Sequence, residues 1–471
     1  MRPNILFIMA DQFRADALGS IGGYARTPNL DNLAAKGWLF TNTFANSVEC
    51  IPSRISLATG LYPHQTGVDR NFECTLNPDY PNWMQAVRAA GYRTSLFGKT
   101  HLHPHVGDIR DRVELMHRYG LQTVDETVGP RASAYVRSNL TELWETKKVW
   151  DAYRADILDR FATKAFVARS SPLPLELYYD CYVGSVARAY LNDLPPGETW
   201  FCWVSFVGPH EPWDAPEPYA SMYAPADMPA PRPVTLHATE TRGLLKPLYQ
   251  SAVYSPDDLS AVDIAAMRAN YAGNVTLIDD EIGKIIETIH RRGELDRTLI
   301  VFTSDHGEMN GDHGLLYKAN FFDPAIKVPL IIAPPGFVYR GARGVTCSAL
   351  VELMDVGATI MAYAEAGELS HWQARSLRDL VDSRVSNHRE NAVSEFRGHT
   401  CVVSERLKVE FDSLLNPVLA FDRTSDPQEQ ADLSLDSDRQ AEFAALKNWL
   451  QSFMNATPPL SAVVDRSSRR Q

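Results

Sequence analysis

Hydrophobic positions along the chain fall into short apolar runs that alternate with helical stripes. Asn4 to Ala10 is a continuous apolar run, the pattern of a strand covered on both faces. Trp200 to Val207, Leu299 to Thr303, Val328 to Ala333 and Arg93 to Phe97 read the same way, and Trp38 to Phe44 reads as extended. Between them, Leu30 to Lys36 follows Thr27-Pro28-Asn29 and stops at Gly37. A short helix begins near Pro52 or Ser53 and ends at Gly60, and Asn82 to Ala90 stops at Gly91. The strongest helical signal spans Ser255 to Arg292. There Ser255-Pro256-Asp257-Asp258 offers a cap, a first-turn proline and acidic residues suited to the positive helix end. Ile264, Met267, Tyr271, Val275, Ile278, Ile282, Ile285 and Ile289 recur at steps of three and four, while Gly273 and Gly283 leave room for a break. This alternation predicts an α/β fold with a doubly wound, mostly parallel sheet flanked by helices.

Two stretches interrupt the rhythm. About 103–196 is helical and aromatic in patches and reads as an insertion over one end of the sheet. The segment 214–247 is rich in proline and reads as a long surface loop. After about Glu390, short alternating strands (Cys401 to Phe411, Pro417 to Asp422) precede a helix from Asp436 to Phe453, the pattern of a small α+β unit. The expected division is a catalytic domain over 1–389, a C-terminal α+β subdomain over 390–454 and a tail over 455–471, frayed or used in assembly.

Composition narrows the possible partners. The 471 residues carry 46 Lys and Arg against 58 Asp and Glu, a net charge of −12. That balance argues against nucleic acid or an anionic membrane as the main partner, but not against a small anion held in a local field. No run reaches the 18 or so apolar residues that a membrane-spanning helix needs. The first apolar run is too short for a signal-peptide core and lacks a cleavage site, so a cytoplasmic location is expected. Of six cysteines, five read as buried free thiols, and Cys50 stands apart.

Candidate chemistry collects at strand ends, where open parallel sheets bind ligands. Asp11-Gln12 follows the first strand, Lys99-Thr100-His101 follows Arg93 to Phe97, His210 follows Trp200 to Val207, and Asp305-His306 follows Leu299 to Thr303. Any one of these is ordinarily a cap or a loop hydrogen bond; four on one rim are harder to dismiss. Asp11, Gln12, Asp305 and His306 offer two carboxylates, an amide oxygen and an imidazole, a set suited to one divalent cation. The oxygens favour calcium or magnesium, and the imidazole shifts the choice toward manganese. Cys50-Ile51-Pro52-Ser53-Arg54 lies at a loop-to-helix transition, where free backbone N–H groups favour anions and lower a thiol pKa.

Cys50-Ile51-Pro52-Ser53-Arg54, followed by Leu57-Ala58-Thr59-Gly60, resembles the signature of type I sulfatases in the alkaline phosphatase superfamily. Pro3 to Asp11, Thr27 to Ala34, Gly98-Lys99-Thr100-His101, Thr303 to Gly307 and Asp426 to Leu433 extend the likeness, in order, over nearly the whole chain. The resemblance implies an alkaline-phosphatase-like fold. It also implies oxidation of Cys50 to Cα-formylglycine (3-oxoalanine) by a formylglycine-generating enzyme that reads Pro52 and Arg54. The hydrated aldehyde attacks the ester, and the resulting hemiacetal collapses to release sulfate. By position, Asp11, Gln12, Asp305 and His306 match the metal ligands and Arg54 the residue orienting the hydrate. His101 matches the base for collapse, Lys99, His210 and Lys318 the groups holding the anion and leaving oxygen, and Asn71 a further contact. Gln12 and His306 stand where many sulfatases have Asp and Asn, and resemble phosphonate monoester hydrolases. Lys99 and His101 are the sulfatase choice.

The expected function is hydrolysis of small sulfate monoesters with a calcium or manganese ion, with side activity on phosphate diesters and phosphonates. The alternatives are a phosphonate monoester hydrolase or phosphodiesterase with the same machinery, and an unmatured anion-binding protein without activity. Self-association into a homo-oligomer is expected by resemblance.

Overall fold

The computed structural model describes residues 2–163, 166–235, 242–249, 259–337, 344–370 and 372–466. Eight strands form the main sheet: β1 (Asn4–Asp11), β2 (Trp38–Phe40), β3 (Arg93–Gly98), β4 (Thr123–Glu126), β5 (Trp200–Pro209), β6 (Thr298–Ser304), β7 (Leu330–Ala333) and β8 (Val345–Cys347). Their order is β8-β2-β7-β6-β1-β5-β3-β4. Only β7 runs against the rest, antiparallel to both β6 and β2. The sheet is therefore mostly parallel, as the continuous apolar runs predict.

Period-two alternation explains how the centre is covered. Every residue of β1 and β5 is buried. Ile5, Phe7 and Met9 join Trp203, Val301, Trp83, Ile55 and Ile360 in a core on one face. Leu6, Ile8 and Ala10 join Cys202, Val204 and Phe302 on the other. All eight periodic residues from Ile264 to Ile289 lie in that second core, so the stripe marks the buried face of the helix Ala261–Arg291.

Several expectations are corrected. The proposed cap Ser255 to Asp258 lies outside the described residues. The helix starts instead at a capping box, in which Ser260 Oγ accepts the Asp263 N–H at 3.1 Å and donates to Asp263 at 2.6 Å. Gly273 and Gly283 do not break the helix. A Cβ at Gly273 would stand 2.2 Å from the Tyr219 carbonyl oxygen and one at Gly283 2.5 Å from Asn29 Oδ1, so these glycines permit close approach. The segment 103–196 is not simply a cover. It supplies the edge strand β4, because Thr123–Glu126 can pair with β3, and the helix Tyr179–Asp193, which packs on β5 and the long helix. The proline-rich stretch carries a short helix, Leu245–Tyr249, and its residues 236–241 lie outside the described set.

A second, antiparallel sheet follows: β9 (Ala392–Phe396), β10 (His399–Val403), β11 (Leu407–Phe411) and β12 (Pro417–Asp422). Val402, Val409 and Ala420 pack on Phe443 and Leu450 of the helix Gln440–Ala456, giving the smaller α+β unit. The tail is not frayed throughout, since Val464–Arg466 pairs antiparallel with Cys74–Leu76. No helix among the described residues is long and apolar enough to cross a membrane.

Candidate active site

The sheet places the polar rim at the carboxyl ends of its central strands. Asp11 ends β1, Lys99 follows β3, His210 follows β5, and Asp305 follows β6. The helix Cys50–Thr59 points its N-terminus at this rim. It begins at Cys50 itself, earlier than Pro52, because Glu49 already accepts the Ser53 N–H at 3.1 Å. All ten of its residues are buried, so the signature is a core element as well as a chemical one.

Arg54, fully buried, ties the acids together. Its Nε donates to Asp305 Oδ2 at 2.7 Å and its Nη2 to Asp11 Oδ2 at 3.3 Å. Nη1 reaches the Lys99 carbonyl at 2.7 Å and Ser205 Oγ at 3.2 Å. The second oxygen of Asp305 accepts the N–H groups of Gln12 and His306 at 3.1 and 3.0 Å. Burial raises the Asp11 pKa, and the Cys50 thiolate adds to it. Lys99, His210 and Arg54 outweigh both and hold the carboxyl well below the usual range.

Cys50 Sγ lies 3.1 Å from His306 Nε2, 3.4 Å from Lys318 Nζ, and 3.8 Å from both Lys99 Nζ and Asp11 Oδ1. Burial opposes its ionisation. The cationic Lys318 and Lys99, with His306 and a hydrogen bond from His101, nevertheless pull the thiol well below its ordinary value. Burial, reinforced by Lys99, lowers His101 to about 3, which leaves its imidazole neutral near pH 7. His210 Nδ1 donates to the Glu211 carbonyl at 2.8 Å, leaving Nε2 to accept from Lys318 Nζ at 3.1 Å. Asn71 Oδ1 accepts the Ile51 N–H at 2.9 Å, so its carbonyl serves the helix start.

The donor chemistry fits a divalent cation. One ligand atom each from Asp11, Cys50, Asp305 and His306 lies within 4.8 Å of the others. His306 Nδ1 faces the Gly307 carbonyl at 3.0 Å and so carries the hydrogen, freeing the Nε2 lone pair toward the cluster. Gln12 Oε1 accepts from Lys318 Nζ at 2.6 Å beside the same space.

Sequence reasoning missed Glu211 and Glu308, which accept from Gln12 Nε2 and fix the direction of its amide. Glu211 follows His210 directly and Glu308 lies three residues after Asp305, so their nearness to motif residues was the available signal. The cleft above Sγ holds about 390 Å³ and is lined by Asn71, Phe72, His101, His105, Arg131 and His210, among others.

The model of the sulfatase family matches residues 3–366. This chain belongs to the sulfatase family. It is a sulfuric ester hydrolase. The sulfatase is 29% identical over 457 residues to an arylsulfatase of Clostridium perfringens, covering 92% of this chain and 90% of that one. It is 29% identical over 495 residues to the multifunctional alkaline phosphatase superfamily protein PehA of Trinickia caryophylli, covering 92% of each. Among solved structures, the phosphonate monoester hydrolase of Agrobacterium radiobacter superposes with a TM-score of 0.78 at 26% identity, covering 97% of this chain and 96% of that one.

Proposed function

We propose that this sulfatase hydrolyses small sulfate monoesters with a formylglycine made from Cys50 as nucleophile, and takes phosphate diesters and phosphonates as minor substrates. One observation carries the reading: Lys318, Lys99 and His306 converge on Cys50 Sγ within 3.8 Å, at the floor of a cleft open to a small ester. The thiol sulfur stands where a hydroxyl of the hydrated aldehyde sits after maturation. A formylglycine hydrate offers one hydroxyl for attack and a second whose deprotonation releases the anion, so no water need approach a negatively charged ester.

Asp11, Asp305, His306 and Gln12 would hold a divalent cation, either calcium or manganese, which would supply positive charge for an anionic ester. Arg54 keeps the two carboxylates in place and offsets the repulsion between these fully buried groups. Lys99 and Lys318 hold the non-bridging oxygens of the substrate. His210 accepts from Lys318 at the side where the alcohol departs. His101, neutral at working pH, takes the proton that triggers release of the anion.

Burial supports an early maturation step. Cys50 is only 2% exposed within a wholly buried helix, so a formylglycine-generating enzyme must read the segment before the chain folds.

The second reading, a phosphonate monoester hydrolase, draws on Gln12 and His306 and on the solved neighbour. Comparing kcat/KM for an aryl sulfate with that for an aryl phosphonate monoester separates the two. We expect the sulfate to be preferred, and clear dominance of the phosphonate rejects the main reading.

A further inference from the structure

A second cluster of metal-ligating side chains stands at the rim of the cleft, away from the Asp11–Asp305 cluster. The run His101-Leu102-His103-Pro104-His105 sets imidazoles at alternate positions, and the last two meet Glu126 at the end of the edge strand β4. His103 Nε2 lies 2.7 Å from Glu126 Oε2, and His105 Nε2 lies 3.4 Å from Glu126 Oε1. Ligand atoms of the three residues fall within 4.8 Å of one another.

The ring-nitrogen partners show what the cluster needs. His103 Nδ1 faces the Pro104 carbonyl at 3.0 Å, and a carbonyl only accepts, so Nδ1 carries the hydrogen. The Nε2 lone pair then points at a carboxylate oxygen, and two acceptors at 2.7 Å repel unless a cation sits between them. His105 Nε2 is buried and lacks hydrogen-bond geometry to any partner among the described residues, although it faces the same carboxylate. Its side chain is only 5% exposed. Thr100 Oγ1 donates to Glu126 Oε1 and fixes the carboxylate, as groups behind a metal ligand commonly do. Three convergent donors need one cation, which is either a proton on His103 or a metal ion shared by all three.

We propose that His103, His105 and Glu126 form a binding site for a divalent transition metal, zinc in the first instance. Two imidazoles and one carboxylate are a donor set suited to zinc and poorly suited to calcium. Ligands about 2.0–2.1 Å from a tetrahedral zinc stand about 3.3 Å apart, which small side-chain shifts from the present separations provide. The ion clamps the loop that carries His101 to the edge of the sheet, since the rings of His101 and His105 stack at 4.6 Å with 15° between their planes.

Titrating zinc into the enzyme already loaded with its active-site cation, by calorimetry, tests the proposal. One further zinc per chain is expected in the wild type, with a rise in Tm, because an ion bound only to the native state stabilises it. His105→Ala is expected to weaken that binding at least tenfold and to abolish the Tm rise. Glu126→Gln should do the same, but it also unpairs His103 and can disturb folding, so His105→Ala at the cleft margin is the decisive variant. Cobalt(II) in place of zinc should give visible d–d bands that His105→Ala removes. Absence of any zinc bound to the loaded wild type, or zinc binding and cobalt bands that survive in His105→Ala, overturns the proposal.

Discussion

Two buried clusters in this molecule have the same formal composition, two carboxylates and an arginine, and different fates. Around Arg389, every strong donor and acceptor is met by the chain. Asp355 accepts from Arg389 Nε at 2.8 Å, from His388 Nε2 at 2.9 Å, and from the N–H groups of Glu352 and Arg375 at 3.0 and 2.7 Å. Glu352 accepts from Tyr62 Oη and the Val393 N–H, both at 2.8 Å. Around Arg54, Lys99 and Lys318 add two cations beyond the arginine, and their Nζ atoms stand 3.8 and 3.4 Å from Cys50 Sγ. That surplus borders an open cleft. A closed account of charge marks a structural cluster; an excess facing space marks one built for an anionic reactant.

Substitutions can break this contrast, the largest effect first. Cys50→Ala should lower kcat on the order of 10⁴–10⁶-fold with little change in Tm, as expected for loss of a nucleophile in a formed site; steady-state kinetics beside a thermal melt checks it. His101→Ala should lower kcat about 10²–10⁴-fold while leaving the first release of alcohol nearly intact. Rapid-mixing measurements would then show a burst equal to the enzyme concentration, and normal sustained turnover would refute the role of the base.

Next comes the paired test of the arginines. Arg389→Met should cost about 3–5 kcal/mol by stranding Asp355 and Glu352, with kcat per folded molecule nearly unchanged and no rescue by added metal. Arg54→Met should reduce kcat, and its loss of stability should be partly restored by calcium or manganese, because the stranded carboxylates are then neutralised by the ion. Equal responses of the two variants to metal, measured as Tm in denaturation scans, would dissolve the distinction.

The smallest effect concerns pH. Burial pushes Asp180 up to about 7, although the N–H groups of Gly208 and Val207 counter it. A carboxyl raised in the native state stabilises it fully below about pH 4 and progressively loses that contribution as pH rises through about 7. Asp180→Asn keeps an acceptor for Val207 and Gly208, and should flatten the fall in Tm between pH 5 and 8.

Much of this is legible in the amino-acid sequence. β1, β5 and β6 announced themselves because strands covered on both faces are apolar throughout, and the long helix because its stripe has a fixed period. Asp11, Lys99, Asp305 and His306 are legible because chemistry in such sheets sits at strand ends, Arg54 and Lys318 only through the family resemblance, and the structure brings all six to one place. What escaped depended on pairing across long separations. The edge strand β4 has only four residues, and its neighbour is known only after folding. The antiparallel sense of β7 and the return of Val464–Arg466 to Cys74–Leu76 are likewise tertiary facts. Glu211 and Glu308 show their role only when the Gln12 amide is seen between them.

The chemical state of residue 50 decides whether a formylglycine hydrate is the nucleophile. Mass spectrometry of the tryptic peptide Gly37–Arg54 from fully active enzyme should show the lighter aldehyde form, captured by a hydrazide reagent. An intact thiol at Cys50, quantitatively present in enzyme of full activity, would contradict it.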